Sequence, residues 1–231
     1  METHPYATTN GFQKQLEMSE KEIQKGAFKS GGIWDEKTKT IICGTFPPLK
    51  EYNNRKGYIH YSSPKNKFWS HIDAIFDTRY YINTKEAYDV HHRIQNALKK
   101  IKFLINKEVG FVDIYTKIER KIEGSSKDDD LECVETIFEN GIFESILKSD
   151  VNQIAFVYCL ARNEFIKAIK EAYSVIPVVI REYKKDDITL EVKKVTIGNK
   201  VLFLSYCPIH GNIRDIHRRP ALAKVIKGDF S

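Results

Sequence analysis

Cysteine is scarce in this chain of 231 residues, and its spacing carries no pattern: Cys43, Cys133, Cys159 and Cys207 form no Cys-x-x-Cys pair. Disulfide scaffolds, zinc ribbons and iron–sulfur clusters need closer or more regular spacing, so no metal and no disulfide are expected. No apolar run approaches the roughly 20 residues that a membrane helix needs, and the amino terminus lacks a secretory pattern. A soluble, intracellular protein without membrane attachment is therefore expected. The phosphate loop Gly-x-x-x-x-Gly-Lys-Ser/Thr is missing, which weighs against a nucleotide hydrolase. There is no internal repeat and no low-complexity tract. Neither sign of charge dominates, since 37 Lys and Arg face 31 Asp and Glu for a net charge of +6. That balance permits a polyanionic partner without requiring one.

With 42% hydrophobic and 29% charged residues, the chain has the composition of a folded globular protein and not of a disordered one. Residues 1–30 are polar, with helical spacing only over Gln13–Lys25, and read as an arm. Residues 31–231 read as one domain, long enough to bury a substantial core. Thr40–Cys43, Val109–Tyr115 and Val151–Tyr158 are short apolar runs of the kind that make strands buried on both faces. Gly32–Trp34 and Thr38–Cys43, separated by Asp35–Lys37, read as a hairpin. Gly198-Asn199 predicts a second hairpin between Ile188–Val195 and Lys200–Ser205.

Phe68, Trp69, Ile72, Ile75 and Phe76 share one face of a helix whose start is signalled by Ser63 and Pro64. Tyr88, His91, Ile94, Leu98 and Ile101 mark a longer helix. Lys117–Asp130 reads as an exposed loop, Leu131–Leu147 as a helical stretch broken at Gly141, and Asn163–Tyr173 as a helix burying Phe165, Ala168, Ile169 and Ala172. The basic tail is expected to be helical after Pro220. Strands alternating with helices predict an α/β fold with a central, mostly parallel sheet covered on both sides. Ligands of such sheets sit beyond the carboxyl ends of the strands, which directs attention to the loops after Cys43, Tyr115, Tyr158 and Ser205.

Three of these stretches carry chemistry. Gly44-Thr45-Phe46-Pro47-Pro48 leaves a buried strand through a glycine, which lets backbone approach a ligand closely, although a tight strand-to-loop turn reads the same way. In Tyr61-Ser62-Ser63-Pro64-Lys65-Asn66-Lys67-Phe68-Trp69 an aromatic ring precedes a helix start, with an amide nearby. A planar base can stack on Tyr61 while Asn66 offers donor and acceptor; the alternative is that Tyr61 is core and Asn66 a cap. Phe68 and Trp69 belong to the core. The last stretch, Ser205-Tyr206-Cys207-Pro208-Ile209-His210-Gly211-Asn212, is followed by Arg214, His217, Arg218 and Arg219. It suits either a grip on a phosphate backbone or a solvated helix face, and His210 is either a catalyst or a structural hydrogen-bonder.

Gly44-Thr-Phe-Pro47 followed by Tyr61-Ser-Ser-Pro-Lys-Asn-Lys-Phe-Trp69 resembles the opening motifs of the mismatch-specific uracil and hypoxanthine-DNA glycosylases, a branch of the uracil-DNA glycosylase superfamily. Gly110-Phe-Val-Asp113-Ile, Arg120 and Gly124-Ser125-Ser126 resemble the middle strand and Arg-x-Gly-Ser loop of that branch. The resemblance spans roughly residues 39–215 and leaves the arm and the hairpin near 186–200 uncovered. It implies a three-layer α/β/α fold and hydrolytic, monofunctional removal of hypoxanthine or uracil from DNA.

On that resemblance, Gly44, Thr45, Phe46, Pro47, Tyr61, Ser205 and His210 line the base pocket, and Asn66 is the catalytic amide. Lys65, Pro208, Gly211, Asn212, Arg214 and Arg218 contact DNA. No cofactor is implied, and a cytoplasmic, nucleoid-associated monomer is expected. Phe46 departs from the many superfamily members that place Asp or Asn there to position water, but the hypoxanthine branch is also apolar at that place. Cys207 replaces the His or Asn that relatives often put before the proline. The alternative is an inactive superfamily fold kept for binding nucleic acid or a nucleobase.

Overall fold

The computed structural model describes residues 1–4, 32–46, 61, 66–81, 90–123, 125, 127–185, 188–207 and 215–227. The strands are β1 (Glu2–Thr3), β2 (Gly32–Ile33), β3 (Thr40–Gly44), β4 (Val109–Asp113), β5 (Tyr115–Arg120), β6 (Leu131–Thr136), β7 (Gln153–Phe156), β8 (Val178–Lys185), β9 (Ile188–Ile197) and β10 (Lys200–Tyr206). The helices are α1 (Phe68–Phe76), α2 (Val90–Asn106), α3 (Ile142–Lys148), α4 (Cys159–Tyr173) and α5 (Asp215–Lys227).

A seven-stranded sheet runs in the order β2-β4-β3-β7-β10-β9-β8. β4, β3, β7 and β10 are mutually parallel, while β2 at one edge and β9 and β8 at the other are antiparallel to their neighbours. The expected mixed α/β fold with parallel strands at its centre is thus present. Every residue of β3 is buried. Alternation sends Ile42, with Phe111 and Ala155, into one apolar cluster shared with α1, α2 and α5. Ile41 and Cys43, with Val112, Ile154 and Phe156, enter a second cluster shared with α3 and α4. Helices therefore cover apolar surface on both faces, the condition that makes parallel strands read as unbroken apolar runs.

Several local expectations fail for physical reasons. β2 does not pair with β3; it pairs with β4, because β3 already has β4 and β7 on its two sides and offers no free edge. The stretch from Lys117 to Arg120 is strand, and Leu131–Thr136 is strand instead of helix: β5 and β6 pair antiparallel, and β1 adds to the other side of β5. That long-range ladder overrides local helix preference. The first described helix after the glycine turn opens at Phe68 with Asn66 and Lys67 outside it, later than the Ser63–Pro64 signal implies.

The last helix opens at Asp215 and contains Pro220 in its interior. α4 buries Phe165 and Ile169, but Ala172 is exposed. The β9–β10 hairpin forms as predicted, with Gly198 taking φ +57 in its turn, a conformation glycine adopts at no steric cost. β8 extends that hairpin as an unforeseen edge strand. The helical stretch expected within Gln13–Lys25 lies outside the described residues.

Candidate active site at the carboxyl ends of the parallel strands

The chain passes from β3 to β4 on one side and later returns to β7 on the other, so a topological switch point lies between β3 and β7. Crevices at such points, at the carboxyl ends of the strands, are the usual ligand sites of open α/β sheets. Gly44 ends β3 there. A Cβ on Gly44 would sit 2.2 Å from Asp113 Oδ1 and 2.6 Å from Tyr61 Oη, so only glycine lets this carboxylate and this phenol converge on the strand end. Asp113 ends β4 and is buried. Its Oδ2 lies 3.0 Å from His4 Nε2, and the amide of His4 donates to the Thr116 carbonyl at 2.7 Å.

The structure brings Asn66 to the same end of the sheet. Asn66 Oδ1 accepts from the Phe68 amide at 2.9 Å, and Nδ2 donates to Tyr158 Oη at 3.4 Å. Tyr158 lies just past the end of β7. Its ring lies 6.4 Å from that of Tyr61. Gly44, Tyr61, Tyr158 and Asn66 thus form a chain of neighbours across the switch point. Tyr61 takes a left-handed φ of 60, and its ring packs against Phe68 and Phe111, so only 8% of the residue is exposed. Asn66 takes the bracing role at the start of α1 by accepting from the Phe68 amide, and its Nδ2 is directed to Tyr158.

Thr45 and Phe46 are buried. Phe46 turns into the α3–α4 cluster and meets His4 edge-on at 5.2 Å, so it supports the site from behind. Ser205 is buried on β10 and lines a small recess with Phe156, Arg162 and Tyr206. Among the described residues, its hydroxyl has no hydrogen-bond partner. No described contact joins Ser205 to Asn66 or Tyr61. Pro47, Lys65, Pro208, His210, Gly211, Asn212 and Arg214 lie outside the described residues.

Electrostatics at this end of the sheet are set by burial and by α5. Burial, seconded by Asp113, pushes the Cys43 thiol well above its ordinary value. Burial takes Cys207 to about 12, against a smaller opposing pull from Arg218. Both thiols are therefore protonated at neutral pH and neither is a nucleophile. Arg218 is itself buried, 3.5 Å from Asp215, so it is not the exposed helix-face residue that the tail suggested. With Arg219 and Lys67 it acts on His71, whose imidazole is brought down to about 4 chiefly by burial. Arg218 and Arg219 both pair with Asp215, while Lys67, next to Asn66 in sequence, is exposed. Among the described residues, no cluster of His, Cys, Asp and Glu could hold a metal ion, and no helix is long and apolar enough to cross a membrane.

Sequence reasoning missed His4 as a site residue and gave Asp113 no role beyond a motif match. An aspartate closing a buried strand was a usable signal for Asp113. His4 is 109 positions away, and no local pattern points to it. Compared with known proteins, the chain matches no family model and no curated protein.

Proposed function

We propose that this chain is a DNA glycosylase with a uracil-DNA glycosylase-like three-layer fold, removing a deaminated base such as hypoxanthine or uracil by monofunctional hydrolysis. The observation that carries the reading is the side chain of Asn66, linked through Tyr158 and Tyr61 to the Gly44 turn at the β3–β7 switch point. Its amide oxygen has a second lone pair beyond the one that Phe68 uses, and its nitrogen has a second hydrogen. Asn66 can thus accept a hydrogen bond from an attacking water, or donate one to the departing base.

In the proposed reaction the C1′–N bond breaks towards an oxocarbenium-like sugar. Water supplies hydroxyl to C1′ and a proton to the base, and no cofactor enters the balance. Flipping costs a few kcal/mol, and least at a mismatch, which favours weakly paired lesions. The exposed Lys67, next to Asn66, suits an adjacent phosphate. The expected setting is a cytoplasmic, nucleoid-associated monomer acting on DNA.

A panel of duplexes carrying uracil, hypoxanthine or xanthine, read by strand cleavage after alkali, tests the proposal. Asn66→Ala is expected to cut single-turnover excision by roughly 10²–10³-fold while DNA binding persists, the range for losing one transition-state hydrogen bond. Unchanged excision in the variant removes Asn66 from the mechanism. The engagement of Asn66 Oδ1 by Phe68 and the packed ring of Tyr61 favour a second reading, a non-catalytic module that binds nucleic acid or a nucleobase. Binding without excision on every duplex selects it.

A further inference from the structure

The antiparallel wing β8–β9–β10 extends beyond α5, and between them lies a cavity of about 580 Å³. It opens at the amino ends of β3, β4 and β7, where Lys39, Glu108 and Asn152 sit, at the opposite end of the strands from Asn66. Val192, Phe203 and Ile226 give it an apolar floor. Gln153 closes one wall in a fixed position: it donates to the Val225 carbonyl at 3.0 Å, and its Oε1 lies 3.4 Å from Thr40 Oγ1. The first of these bonds also satisfies a carbonyl in the last turn of α5.

The charge around this floor is one-sided. Lys39 is paired with Glu108 at 2.7 Å, and the ammonium of Lys107 lies over the Phe76 ring at 5.0 Å. Arg181 and Lys227 remain. Both are exposed at the rim, and among the described residues neither has an ion-pair partner. The β8–β9 register shifts between Val179 and Arg181, and the consecutive residues Ile180 and Arg181 both line this face. Beside it, Ile180 is 51% exposed, an apolar side chain at the mouth of a cavity of ligand size.

We propose that this cleft is a second binding site, for a small organic anion with an apolar body: the body lies on Val192, Phe203 and Ile226, and the anionic group meets Arg181 and Lys227. The site stands apart from the glycosylase reading and does not depend on it.

Fluorescence titration with 8-anilinonaphthalene-1-sulfonate, against its uncharged twin N-phenyl-1-naphthylamine, tests this on the intact chain. One saturable site is expected, with at least tenfold preference for the sulfonate. The double variant Arg181→Glu with Lys227→Glu should weaken sulfonate binding at least tenfold while the neutral twin is unaffected. Absence of saturable binding, or equal affinity of the wild-type protein for the two probes, overturns the proposal without recourse to any variant. So does a folded double variant that binds the sulfonate undiminished.

Discussion

Replacing Lys100 with methionine should stabilise this protein, and the gain should depend on pH. Lys100 lies on α2 with 1% of its surface exposed, its ammonium 4.8 Å from the centre of the Trp69 ring. Burial lowers its pKa from 10.5 to about 7, against a smaller opposing pull from Asp73. Each tenfold displacement of that equilibrium corresponds to about 1.4 kcal/mol, so the folded state carries a penalty on the order of 5 kcal/mol once the lysine is charged in both states. The unfolded chain binds the extra proton between about pH 7 and 10.5. Stability from this group therefore falls as pH drops through that window and is flat below it.

Methionine keeps the length of the buried stem and removes the charge. Lost attraction to Trp69 and Asp73 offsets part of the relief, which leaves an expected gain of roughly 2–4 kcal/mol at pH 6. Urea denaturation followed by tryptophan fluorescence, at pH 6, 7.5 and 9.5, measures the difference between the two proteins. Other titrating groups cancel in that difference. A variant no more stable at pH 6, or a gap that does not narrow as pH rises, contradicts a burial penalty at Lys100.

His71 supplies the acid counterpart. Neither of its ring nitrogens has a hydrogen-bond partner among the described residues, and its folded pKa of about 4 lies below the ordinary 6.5. The wild-type protein should lose about 3 kcal/mol from this group as pH falls from 6.5 through 4, and His71→Leu should flatten that limb of a stability–pH curve measured in urea. Gly44→Ala should cost roughly 1–3 kcal/mol, because its methyl must displace the Asp113 carboxylate and the Tyr61 hydroxyl in a packed interior. Equal urea midpoints for wild type and variant would show that the strand end has slack.

The parallel centre of the sheet was legible because β3, β4 and β7 are buried on both faces, so their residues carry the signal without help from partners. Leu131–Thr136 was not legible. Its residues alternate weakly, and only the pairing with Tyr115–Arg120 makes it strand. β8 escaped for a related reason: Val178, Val179 and Ile180 are all substantially exposed, so no inward periodicity marks them. The start of α1 was misplaced because a Ser-Pro pair is a generic signal, whereas the bond from the Phe68 amide to Asn66 Oδ1 depends on a single side-chain rotamer.

The same contrast divides the candidate site. Gly44, Tyr61 and Asn66 sit within 22 positions of one another, and a short motif could group them before any coordinates did. His4 had to be delivered by topology. β1 pairs with β5, Glu2 holds Arg120 through Nε at 2.6 Å and Nη2 at 3.2 Å, and Arg120 also donates to the Ser125 carbonyl at 2.8 Å. These contacts fix the first residues of the chain against the β5–β6 hairpin and place His4 between Phe46 and Asp113. The apolar residue at position 46 then has a physical role: its ring packs near-perpendicular to the His4 imidazole at 5.2 Å and lies under the Arg120 guanidinium at 6.0 Å. Asp113, whose carboxylate adjoins Gly44 at the end of β3, holds that imidazole from its other side through Nε2 at 3.0 Å.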